Sequence, residues 1–70
     1  MEDRKGKFKR LATYRTNIVL EKLRILGNLS NKANYDYTDE DINKIFSAIE
    51  SQLRIIKTRF TGQKREEFKL

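Results

Sequence analysis

Cysteine, histidine, proline and tryptophan are all absent from this chain, and glycine occurs three times. Without Cys no disulfide can staple the fold, and without Cys or His the common zinc ligand sets are missing. No Ser or Lys sits in a recognisable nucleophile setting, so the residues point away from an enzyme and call for no cofactor or metal. No apolar run approaches the ~20 residues of a membrane span, and the charged first residues lack the apolar core of a signal peptide. The expectation is a soluble, cytoplasmic protein. The lack of Pro and the scarcity of Gly suit an all-helical chain.

What is present is charge and helical periodicity. Sixteen Lys and Arg stand against ten Asp and Glu, a formal net charge of +6, which favours polyanions or acidic surfaces. The chain of 70 residues allows one small domain, 1–70, too short to bury a generous core unaided. From Ile42 to Phe60 apolar residues fall at Ile42, Phe46, Ile49, Leu53, Ile56 and Phe60. Alternating steps of four and three make the seam of a coiled-coil helix. Upstream, Thr38 and Asp41 have capping-box spacing, with Asp41 in place of the usual Glu or Gln, and predict a helix over 38–61. Ala12, Thr16, Val19, Leu23 and Leu26 repeat the spacing and predict a first helix over 7–26, stopped by Gly27 in a left-handed cap. Residues 1–5 are expected to fray; after Phe60 the seam ends, Gly62 is expected to cap the second helix, and 62–70 to form a mobile basic tail.

Between the helices, 27–37 is rich in Asn, with Leu29, Tyr35 and Tyr37 expected to plug the helix ends. The architecture that follows is all-α: an antiparallel helical hairpin with a structured loop. Ile18, Ile25, Ile45 and Ile55 lie beside the hairpin seam. They predict a homodimer closing as a four-helix bundle, unless loop and tail cover them.

Arg4, Lys5, Lys7, Lys9, Arg10 and Arg15 follow one another without an acid, as do Arg54, Lys57, Arg59, Lys64 and Arg65. Between Asn28 and Asp41, Lys32 stands against four carboxylates, a net of −3. A hairpin would pool the two basic runs at one end. Solvated helix faces explain part of this, and Arg59 suits a helix C-terminus. Cations at the start of the first helix oppose its dipole and call for another reason. The candidate phosphate contacts to nucleic acid, DNA or RNA, are Lys7, Lys9, Arg10, Arg15, Arg54, Lys57, Arg59, Lys64 and Arg65. Tyr14 could stack on a base. Tyr35 and Tyr37, in acidic surroundings, suit the plug better.

The alternative is a protein-interaction module, an inhibitor or adaptor docking on a nucleoprotein machine or an acidic partner. It would read its target through Asn28, Asn31, Asn34, Tyr35 and Tyr37. Asp36, Asp39, Glu40 and Asp41 lack the alternation and turn Gly of a calcium loop and are better explained by capping. Asn28-Leu29-Ser30 has the spacing of a glycosylation acceptor, which without a signal peptide is chance. The first helix is basic and amphipathic enough for a membrane surface, but its seam matches the second helix better, so no membrane partner is expected.

The block Arg24-Ile25-Leu26-Gly27-Asn28-Leu29-Ser30-Asn31, then Asn34-Tyr35-Asp36-Tyr37-Thr38 and Lys44-Ile45-Phe46, resembles a motif of small uncharacterised bacterial proteins of plasmids, phages and other mobile elements. It covers about the central third of the chain. The resemblance implies an accessory protein acting on nucleic acid or a nucleoprotein machine, and supplies no catalytic residues.

Overall fold

The computed structural model describes residues 2–62. The described chain is helical, with no strand among those residues: α1 over Arg4–Gly27, a 3₁₀ turn over Asn28–Ser30, and α2 over Asp39–Phe60. It divides into two units, one reaching Asp36 and one beginning at Tyr37. Neither described helix is long and apolar enough to cross a membrane. The tail expected over 62–70 falls beyond the described residues from Gln63 onward.

In the first unit α1 begins three residues before the expected start. Asp3 is the N-cap, and its Oδ1 accepts the Gly6 N–H at 2.7 Å. That bond satisfies one of the four free amides of the first turn, so Arg4 and Lys5 are helical rather than frayed. At the other end Gly27 does not take the left-handed conformation expected of it. Its φ is −61°. The chain runs on through Gly27 into the 3₁₀ turn, the Asn28 N–H donating to the Ile25 carbonyl. This i→i−3 bond tightens the last turn and occupies a carbonyl that a left-handed cap would otherwise serve. A Cβ added at Gly27 would meet nothing within 4 Å. Gly27→Ala should therefore stabilise the chain, by about 0.4–1 kcal/mol, read as a raised urea midpoint. A lowered midpoint would show that the position needs glycine.

The 28–37 segment holds local turns, as a structured loop requires. Asn31 Oδ1 accepts the Ala33 N–H at 3.0 Å, an Asx-turn. The Asn31 carbonyl accepts the Asn34 and Tyr35 N–H groups at 3.1 and 3.0 Å. Leu29 and Tyr35 are 47% and 48% exposed. Tyr37, which opens the second unit, is half-buried.

In the second unit the expected capping box is present. The Asp41 N–H donates to Thr38 Oγ1 at 3.0 Å, and the Thr38 N–H donates to Asp41 Oδ2 at 2.9 Å. Asp39, Glu40 and Asp41 occupy the first turn and Lys57 and Arg59 the last, each charge set to suit the helix dipole. The helix closes with the Thr61 N–H on the Lys57 carbonyl at 3.1 Å. Gly62 follows with φ +75°, the left-handed residue a side chain would strain. Thr38→Ala should cost about 1 kcal/mol, seen as a lower denaturation midpoint at unchanged slope. No change would place the start of α2 elsewhere.

No described residue is fully buried. Along α2, Ile42 and Ile49 are half-buried, while Phe46 and Leu53 are about half exposed. The four-three spacing is thus realised as a continuous apolar line along one helix face.

Candidate nucleic-acid interface

The first-turn geometry of α1 sets the character of this region. Arg4, Lys5 and Lys7 fall within the opening turn, and the turn holds no acid. Here the free amides and the dipole already present positive charge. Asp3 offsets part of it from the cap position.

The cations do not form a stripe. At 3.6 residues per turn, Arg4, Lys7 and Arg15 lie toward one side of α1, and Lys5 and Lys9 toward the other. Arg10 sits beside Lys7. The positive charge therefore wraps the start of the helix, and all six side chains belong to exposed residues.

Arg10 is not an open cation. Its Nε donates to Glu2 Oε2 at 3.0 Å and its Nη2 to Glu2 Oε1 at 3.1 Å. This fork uses two of the five guanidinium N–H groups. The pair is surface-exposed, with side chains 60% and 40% accessible, so a competing phosphate can displace the carboxylate at small cost.

Farther along α1, Arg24 Nε donates to Glu21 Oε2 at 3.0 Å. The hydrogen bond from Arg24 holds the Glu21 carboxyl below its ordinary pKa, against a small opposing desolvation, and raises that of Arg24. A depressed carboxyl contributes stability that is present above its unfolded pKa and lost as pH falls through the folded one. The Glu21 carboxyl resonance should titrate below the usual glutamate range and return to it in Arg24→Gln. An ordinary midpoint in the unaltered chain would contradict the pairing.

On α2, Arg54 and Lys57 are three apart and share a face, while Arg59 lies on another. Lys64 and Arg65 lie outside the described residues. The acidic group at the start of α2 has local work: Asp41 closes the capping box, and Glu40 Oε1 lies 3.4 Å from Lys44 Nζ. Among the described residues no group of carboxylates is placed to hold a metal ion.

Of the loop candidates, Asn28 and Asn31 take part in backbone turns, and Asn34 donates its N–H to Asn31. Tyr35 is the loop aromatic with most exposed surface. Ile18, Ile25, Ile45 and Ile55 are 41%, 46%, 36% and 54% exposed.

Sequence reasoning left Arg4 and Lys5 out of the binding set because it expected 1–5 to fray. The available signal was Asp3, a favoured N-cap residue directly before the helix. It also missed Glu2 as the partner of Arg10, a pairing across the cap that no helical spacing encodes. No family model, curated protein or solved structure matches the chain.

Proposed function

We propose that this protein is a small basic helical accessory protein that binds nucleic acid through phosphate contacts and acts as a homodimer. The observation that carries the reading is the acid-free first turn of α1, where Arg4, Lys5 and Lys7 stand exposed on a helix end that is already positive. Such an arrangement opposes helix stability, and a bound polyanion relieves it. Lys9, Arg10 and Arg15 continue the cluster on α1, and Arg54 and Lys57 supply a second.

In this reading α1 and α2 fold back as an antiparallel hairpin, which joins the two clusters at one end. Two hairpins close as a four-helix bundle. The apolar line of α2 supports the need for such packing, since a chain of this size gains little stability from isolated helices. The resemblance of the central third to proteins of mobile elements agrees with an accessory role on nucleic acid.

A second reading is favoured by the exposed Leu29 and Tyr35 on the connection, apolar surface that phosphate binding does not use. There the protein docks on a protein partner. Purification with and without nuclease separates the two. Nucleic acid that co-purifies and is lost on nuclease treatment supports phosphate binding. A stoichiometric protein retained after nuclease supports docking and removes the leading proposal.

A further inference from the structure

Besides its apolar seam, α2 carries a second stripe with the same four-three spacing: Asp41, Ile45, Ala48, Gln52, Ile55 and Arg59. Helical geometry places this stripe roughly a quarter-turn or more from the seam, on a face of its own. All six residues are exposed. Read from either end, the stripe complements itself. Asp41 corresponds to Arg59, Ile45 to Ile55, and the small Ala48 to the longer Gln52.

We infer that this stripe is the dimer contact, and that its occupant is the same stripe of a second copy running antiparallel. The inference rests on the homodimer reading above and specifies which helix meets which. A two-fold axis crossing the stripe between Ala48 and Gln52, at the height of Glu50 along α2, sets each Asp41 carboxylate against an Arg59 guanidinium of the other copy, twice per dimer. It also stacks Ile45 on Ile55, twice per dimer. An isologous contact of this kind requires that a patch complement itself under rotation, and the order acid, Ile, small, polar, Ile, base does so. The parallel alternative sets Asp41 on Asp41 and Arg59 on Arg59, like charge on like. Antiparallel pairing also opposes the two helix dipoles favourably. The Asp41 carboxylate can serve both roles, because one oxygen holds the Thr38 N–H and a carboxylate has about four acceptor sites. The seam from Ile42 to Phe60 stays available to α1.

The test uses the full-length chain, which contains no cysteine of its own. Two single variants, Ile45→Cys and Ile55→Cys, are oxidised alone and mixed. Across the proposed axis each position lies about 15 Å from its own copy, from a rise of 1.5 Å per residue, too far for a disulfide. Position 45 lies beside position 55 of the other copy. The expected result is a disulfide-linked dimer from the mixture and little from either variant alone. A companion measurement leaves the apolar residues untouched: Arg59→Glu should weaken dimerisation roughly ten-fold at low salt, with the loss shrinking as salt rises. Circular dichroism checks that each variant remains helical. Self-linked dimers from each variant alone would mean parallel pairing and overturn the inference. A dimer by sedimentation that forms no 45–55 link and ignores Arg59→Glu would also overturn it while leaving the homodimer reading intact. A monomer at high concentration would remove both.

Discussion

Raising salt from about 50 to 200 mM should weaken binding to a short DNA duplex roughly 500-fold, the loss for about five phosphate contacts at a log–log slope near −4.5. The slope counts the counterions that protein cations release from the phosphates, so it tests the mechanism rather than affinity alone. Sequence should matter little, since phosphate contacts position a protein without reading bases. Lys7, Lys9, Arg54 and Lys57 are the residues to change. Arg10 is partly held by Glu2, and Arg59 belongs to the proposed dimer stripe, so altering either would mix two effects. Changing the four to Gln should flatten the slope by about 0.9 for each phosphate no longer engaged and leave helicity unchanged. Lys32→Gln, on the acidic connection, should have a much smaller effect. Absence of binding at low salt would sink the phosphate reading, as would an equal loss from the Lys32 change. Either result would promote protein docking.

The choice of those residues shows where the sequence was readable. Local spacing carried the most. Thr38 and Asp41 are three apart with an apolar repeat behind them, and the structure forms the capping box where that spacing puts it. Gly62 was equally legible, because the seam ends at Phe60 and the chain then needs a residue that tolerates positive φ. Gly27 misled for a physical reason. Glycine permits the left-handed conformation but does not impose it, and here a 3₁₀ turn takes the end of α1 instead. The start of α1 was hidden by its own charge: five residues with two acids and two bases look like a solvated end, and a single hydrogen bond from Gly6 to Asp3 makes them a cap. The pairing of Glu2 with Arg10 follows from that cap and could not be seen without it. Ile45 and Ile55 were visible as surplus apolar positions. That they belong to one line with Asp41 and Arg59 emerged only once α2 had its ends.

The chain with Ile45→Lys and Ile55→Lys should sediment as a monomer at concentrations where the unaltered protein is a dimer. Each copy would bury both Ile side chains, and each buried Ile is worth about 1.5–3 kcal/mol. Four are removed per dimer, so the dissociation constant should rise by more than about a thousand-fold. New ammonium groups beside the partner's apolar surface add desolvation cost. The effect of added charge must be separated from that of removing apolar packing, because the protein is already at +6. Asn43→Lys with Ser47→Lys supplies the same two charges on the side of α2 away from both apolar stripes, and this chain should remain a dimer. The unaltered protein should also melt at a temperature that rises with its concentration, as an assembly does by mass action, and the Ile variant should lose that dependence. A variant that stays dimeric would move the interface off this face of α2. If the control with lysines at 43 and 47 also dissociates, net charge and not the isoleucine stripe governs assembly.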